Sequence, residues 1–196
     1  MTIPLVVWAQ LTPSAKRERL LAAARELFAR EGLGAPMPAL AAEVGAGVGS
    51  LYRCYPSKHD LIVALVVQRL EEIAATVRAA LERASDPWRS LCGILHELAE
   101  QQAADPLTGR AYQLAADDPA VRRAVAAVNA AFDELMGRAR AQGRLRADAD
   151  ARDVHLLFNA TRAAQMVDAD GWRRVLELFL DALSAGPVRG RRSSST

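Results

Sequence analysis

Apolar side chains recur every three or four residues along most of the chain, the spacing that places them on one face of an α-helix. In the first such segment the apolar face is formed by Leu20, Ala24, Leu27 and Phe28. No segment of the sequence shows the apolar–polar alternation of a β-strand bounded by turn residues, and no internal repeat is visible. The pattern therefore predicts an all-α protein of about nine helices.

Short polar residues mark where several of the predicted helices begin. Thr12-Pro13, Asp86-Pro87, Asp105-Pro106 and Asp118-Pro119 each place a capping side chain before a proline that suits the first helical position. Glycine or proline ends several of the segments. The predicted helices cover residues 13–31, 36–44, 48–55, 58–82, 88–104, 107–116, 120–142, 151–167 and 171–183.

The composition is that of an ordinary globular protein. The 196 residues are 51% hydrophobic and 24% charged, so the chain can bury a core without disulfides or metals. Its 25 basic and 23 acidic residues give a net charge of +2. This balance excludes a polybasic protein that coats DNA, but it allows one local basic surface.

Several kinds of site are not expected. Cys54 and Cys92 are too few for a disulfide framework or a four-cysteine zinc site, which favours a reducing cytoplasm. His59, His96 and His155 lack metal-ligand spacing with carboxylates, and we expect neither a metal nor a cofactor. No nucleophile, base and orienting group occur together, and no glycine-rich phosphate loop follows a strand, so we expect no enzyme. No apolar run approaches the roughly 18 residues that span a membrane.

The two ends of the chain differ from the helical part. Residues 1–8 are apolar but lack the basic start and the length of a secretion signal, so we expect a flexible or packed extension. Residues 186–196 are poor in apolar side chains and should be disordered. The three arginines of this tail could contact a polyanion, although a solvated tail is the simpler interpretation.

The first three predicted helices have an unusual order of lengths. One helix of ordinary length is followed by two very short ones around Gly45-Ala46-Gly47. Two short helices joined by a tight turn are typical of the helix-turn-helix, whose second helix lies in the major groove of DNA. A three-helix bundle with no role at DNA would produce the same pattern, so the lengths alone leave both interpretations open.

The residues of these helices resemble those of the tetracycline-repressor (TetR/AcrR) family of transcriptional regulators. Residues 16–32, with Leu27-Phe28 and Gly32, are similar to the opening helix of that family. Leu40–Gly45 resembles its second helix and turn, and Gly49–Lys58 with Leu61 resembles its recognition helix and the start of its fourth helix. The resemblance covers about residues 12 to 70.

This resemblance implies a DNA-binding regulator, most often a repressor that binds a palindromic operator as a homodimer and is released by a small-molecule effector. It implies a helix-turn-helix domain over residues 12–58 and a ligand-binding and dimerisation domain over 59–185. Composition predicts the flexible extension, taken as residues 1–11, and the disordered tail over 186–196. The residues expected to contact DNA are Met37, Gly47, Val48, Gly49, Ser50, Tyr52, Arg53, Tyr55 and Lys58.

Five positions depart from the family pattern, and two of them are Arg53 and Cys54, which replace a usual aromatic or histidine pair. Met37 and Pro38 stand where a hydroxyl and a basic residue are common, and Gly47 replaces the polar cap of the recognition helix. These departures motivate an alternative function, a ligand-binding or protein-binding regulator whose operator binding is weakened or lost. Cys54, beside the recognition helix, is either a redox sensor or a structural cysteine, and the structural role is favoured.

The later helices supply candidates for an effector pocket and a dimer interface. Pockets combine an apolar lining with a few placed polar groups. The pocket candidates are Trp88, His96, Tyr112, Gln113, Asn129, Phe132, Phe158, Arg162 and Gln165. The last two helices carry apolar faces that fit core packing on one side and a four-helix dimer interface on the other. The interface candidates are Leu157, Thr161, Trp172, Leu176, Phe179 and Leu180.

Overall fold

The computed structural model describes residues 8–83 and 85–185. Over these residues the regular structure consists of nine α-helices, a 3-10 turn at Trp8–Gln10 and one isolated bridge between Leu145 and Ser184. The all-α prediction is confirmed. The helices are α1 (Pro13–Glu31), α2 (Met37–Glu43), α3 (Val48–Cys54), α4 (Lys58–Arg83), α5 (Pro87–Ala104), α6 (Pro106–Ala115), α7 (Pro119–Ala141), α8 (Ala151–Val167) and α9 (Gly171–Leu183).

Local side-chain bonds fix several helix ends. Thr12 Oγ1 accepts from the amide of Ala15 at 3.2 Å, and Asp105 caps α6 in the same manner. At α8, Asp150 and Asp153 form a reciprocal capping box. α3 ends at Cys54, one residue before the predicted end. Tyr55 precedes a proline, which disfavours helical backbone at Tyr55, and the Tyr55 backbone is extended.

The chain packs into two units. The first contains the described residues up to Arg69 together with Asp105–Ala124, and the second contains Leu70–Ala104 and the described residues from Val125 onward. This division does not follow the single boundary predicted after residue 58, because α4 and α7 each contribute to both units. With 26 residues, α4 is about 39 Å long.

The core of the first unit forms where α1, α2 and α3 contact one another. The predicted apolar face of α1 is buried there together with Leu40 and Leu51. Trp8 is buried too, and the Lys16 ammonium lies 5.9 Å from its ring centroid. Trp8 of the expected flexible extension is therefore packed, since a tryptophan buries a large apolar area. Residues 1–7 and 186–196 lie outside the described residues.

The second unit has a larger apolar core. α8 and α9 pack against each other and both contact α5, and part of α7 completes the core. The largest fully buried side chains of this core are Leu91, Leu95, Phe132, Leu135, Met136, Leu157 and Leu176.

The turn between α2 and α3 provides a stability test. Gly45 has a φ of +67°, which costs an L-residue with a side chain about 1–2 kcal/mol. Gly34, in the same unit, has an ordinary φ and open space where a Cβ would stand. We expect Gly45→Ala to lower the free energy of unfolding by about that amount in urea denaturation. Gly34→Ala is the matched control and should change it little; equal losses in the two variants would contradict this account.

Candidate nucleic-acid interface

The connection between α2 and α3 is a tight turn built from backbone bonds. The amide of Gly45 donates to the Ala42 carbonyl at 3.1 Å, and the amide of Ala46 donates to the Ala41 carbonyl at 2.9 Å. Gly47 occupies the N-cap position of α3 and offers no side-chain bond. The seven residues of α3 are therefore held in place mainly by packing rather than by their own caps.

Leu51 supplies that packing. Its side chain is fully buried in the first unit, whose α1 and α2 both contact α3. An ion pair between Arg30 and Glu43 joins α1 to α2. These contacts fix the rotation of α3 about its axis and so determine which of its side chains face outward.

Two of the expected DNA contacts belong to the core instead. Met37 is 6% exposed and Tyr55 is 7% exposed, so neither presents its side chain to a groove. Both are large apolar side chains at the ends of short helices, where they cover the apolar centre of the unit. Burial raises the pKa of the Tyr55 hydroxyl, although the nearby Arg17 charge acts in the opposite direction.

The outward side of α3 carries four of the predicted residues. Val48 and Tyr52 are 39% and 42% exposed, and Gly49 and Arg53 are exposed beside them. We call these four residues the recognition face. Gly47, which directly precedes α3, is exposed as well. Ser50, also on α3, is half-buried. The exposed valine is suited to contact a thymine methyl group. The exposed tyrosine is suited to contact a phosphate or a sugar.

Lys58 has an internal role in the structure. Its ammonium donates to the Ala35 carbonyl at 2.7 Å and lies 5.7 Å from the ring centroid of Phe28. The first turn of α4 is thereby joined to the connection between α1 and α2. An ammonium has three donors, so the bond to Ala35 leaves two for a phosphate. Sequence reasoning missed the contact with Ala35 because 23 residues separate the partners.

The expected pocket residues are divided between the two units. Tyr112 and Gln113 lie on α6 in the first unit, where Gln113 is exposed. In the second unit Phe132 is fully buried, and Trp88 and Phe158 pack against its core. The proposed pocket therefore stays a prediction.

The polar pocket candidates have partners in this structure or are exposed. Asn129 Oδ1 lies 2.8 Å from Nε2 of His155, and Gln165 donates to the Ala103 carbonyl at 2.8 Å. Arg162 donates to the side chain of Asn159 on the same helix. His96 points to solvent, since its position on α5 faces away from the core. Its proposed contact with an effector would therefore need a different arrangement of α5.

An open depression of about 320 Å³ lies beside the connection between α4 and α5. None of the expected pocket residues lines it. Its lining residues are Arg83, Ser85, Asp86, Arg89 and Ser90. The sequence signal for this site was the Asp86 helix cap, which predicts a turn but no cavity.

Four of the six interface candidates are core residues. Leu157, Thr161, Trp172 and Leu176 are all buried in the second unit, and Phe179 and Leu180 are partly buried against the same core. Thr161 accepts from Gln102 at 3.1 Å, which satisfies its hydroxyl inside that core. These residues therefore stabilise the protomer, because a side chain already buried offers no surface to a second copy.

The exposed sides of α8 and α9 nevertheless carry four large apolar side chains, beside charged ones such as Arg174 and Glu177. Leu156 is 64% exposed, and Met166, Val167 and Leu178 are also well exposed. We call these four residues the outer apolar face. Leu156 precedes the buried Leu157 directly, so the error in the sequence prediction is one of helix rotation.

These features define a helix-turn-helix regulator with a second, helical unit. A model of bacterial regulatory proteins of the tetR family matches residues 20–65. A model of the C-terminal domain of SbtR-like transcriptional regulators matches residues 86–185. The chain belongs to the TetR family of transcriptional regulators.

Solved structures of this family share the fold. A TetR transcription regulatory protein from Mycobacterium vanbaalenii is 29% identical, with a TM-score of 0.64 over 88% of this chain and 96% of that one. The TetR transcriptional regulator SCO0520 from Streptomyces coelicolor is 26% identical, with the same TM-score over 87% and 99%. Thermus thermophilus FadR, solved with lauroyl-CoA, is 24% identical, with a TM-score of 0.59 over 92% and 100%. A search of curated proteins finds no match to this chain.

The described part of the chain contains neither a candidate metal site nor a membrane-spanning helix. Residues 8–83 and 85–185 bring together no group of three or more His, Cys, Asp or Glu side chains able to hold a metal ion. Within the same residues, each helix is too short or too polar to cross a membrane.

His155 generates a pH prediction for the second unit. Burial lowers the pKa of its imidazole below the ordinary value of 6.5. The unfolded chain then binds a proton more readily than the folded one, so stability is complete above about pH 6.5 and falls below it. We expect the urea midpoint to drop less between pH 7.5 and pH 5.5 in His155→Gln than in the native protein.

The exposed His96 provides the matched control for this measurement. His96→Gln should lose as much stability on acidification as the native protein does. An equal loss in the native protein and in His155→Gln would contradict the role of burial.

Proposed function

We propose that the protein is a cytoplasmic transcriptional repressor that binds a palindromic operator as a homodimer and leaves it when a small-molecule effector binds. The observation that carries the proposal is the recognition face of α3, held outward by the burial of Leu51. Family membership supports the same function, because the matched model describes bacterial regulatory proteins.

The recognition face supports specific rather than purely electrostatic binding. The net charge of the chain is only +2, so long-range attraction to DNA is weak. Lys58 and Tyr52 would contact phosphates, and Val48 and Arg53 would contact base edges. Much of the preference for the operator over other DNA would then depend on the spacing of its two half-sites, one helical turn or slightly more apart.

The outer apolar face supports the dimer. In a two-fold symmetric pair the same patch of each copy meets itself, so α8 and α9 of two protomers would form a four-helix interface. Leu156, Val167 and Leu178 would be buried there. The interface residues of this proposal thus replace the buried candidates Leu157, Thr161, Trp172 and Leu176.

The second unit supports binding of an effector with an apolar part. Trp88 and Phe158 are only partly buried against its core, so they would be available to contact a ligand. FadR of Thermus thermophilus was solved with lauroyl-CoA, a molecule with a long apolar chain. We propose a ligand of this general character for the present chain. The helix α4 contributes to both units. A ligand that favours one position of the second half of α4 would therefore also change the position of the first turn of α4.

Selection of DNA fragments by the purified protein tests operator binding. We expect an enriched palindromic site, bound much more weakly by Val48→Glu because a carboxylate would face the bases and phosphates. Leu114→Glu is the matched control: Leu114 is 59% exposed on α6, away from the recognition face. Failure of the native protein to enrich any site would instead favour a regulator that acts through a ligand or a protein without an operator.

Sedimentation analysis tests the dimer. Leu156→Glu should convert a dimer into a monomer at micromolar concentration, since two buried carboxylates would face each other across the interface. Leu114→Glu again serves as the control, because it places the same charge at an equally exposed leucine and should remain dimeric. Identical sedimentation of the two variants would refute this interface.

A further inference from the structure

Arg53 belongs to the last turn of α3, but its charged group does not lie there. The side chain runs back along the helix, and Nη2 donates to Ser50 Oγ at 2.8 Å. Nη1 lies 4.0 Å from the position that a Cβ of Gly49 would occupy. The guanidinium is therefore placed over the first turn of α3, one helical turn before its own Cα.

Gly49 leaves this guanidinium uncovered. Glycine in a helix costs about 1 kcal/mol relative to alanine, so this residue does not stabilise α3. With only hydrogen at this position, no side chain lies between the guanidinium and a ligand that approaches the first turn. An alanine would still fit at ordinary contact distance, whereas a longer side chain would compete for the space.

The first turn is the part of a recognition helix that contacts base edges in the major groove. Among the four residues of the recognition face, valine and glycine have no polar side-chain atom, and tyrosine has a single hydroxyl. The arginine has five N–H donors in a fixed fork, which matches the O6 and N7 acceptors of guanine. One of these donors is used by Ser50, and the others remain for a base.

We infer that Arg53 is the guanine-reading residue of α3, and that Ser50 positions its guanidinium above Gly49 for this contact. The inference rests on the proposed operator binding and specifies which base pair Arg53 recognises. Each half-site of the operator would contain one G·C pair that faces Arg53. The competing role for Arg53 is a phosphate contact, which carries no sequence information.

The test compares the sites selected by the native protein and by Arg53→Lys. Lysine keeps the charge but lacks the fork, so discrimination at one G·C pair per half-site should fall about 5- to 100-fold. Preference at the other positions should stay unchanged. Ser50→Ala should reduce discrimination at the same pair by a smaller factor. Leu114→Ala is the control: Leu114 is exposed on α6 and belongs to none of the proposed contacts, so the variant should keep the native preference.

The possible failures are distinguishable. If Arg53→Lys keeps the native preference at every position, whether or not its overall affinity changes, Arg53 contacts a phosphate or nothing, and the inference is wrong. The proposed function stands in that case. If the native protein selects no site, the proposed function falls and the inference with it.

Discussion

The position of α3 depends on the burial of one side chain. A helix of seven residues is not stable alone in water, and this one has neither a side-chain cap nor a favourable N-terminal residue. Leu51 is fully buried among residues of the first unit and fixes the rotation of α3. The exposure of Val48, Tyr52 and Arg53 follows from that rotation, so the proposed DNA surface is a consequence of core packing.

The contact between Lys58 and Ala35 extends the same constraint to α4. Leu51 fixes α3 within the first unit, and the Lys58 ammonium joins the beginning of α4 to the connection between α1 and α2. Because α4 contributes to both units, its first turn is where a change in the second unit would reach the DNA-binding helices. If Lys58 also bound a phosphate, as proposed, it would couple the two events.

Local signals in the sequence predicted the helices well, and contacts between distant residues account for the errors. The caps at Thr12 and Asp150 lie within three residues of the amides they bind. The positions of these helix ends are therefore predictable from the local sequence alone. Leu156 and Leu157 are adjacent and equally apolar, and only the packing of α8 on α5 and α9 decides which one is buried. Met37 entered the core for the same reason. The departure from the family pattern at this position is therefore a packing feature.

Methylation interference at guanine N7 on the selected operator tests the central claim most directly, because that atom lies in the major groove. The account predicts interference at one guanine in each half-site, at symmetric positions separated by about one helical turn or slightly more. Interference at no guanine would contradict guanine reading by Arg53, and interference on one side of the operator only would contradict a symmetric dimer.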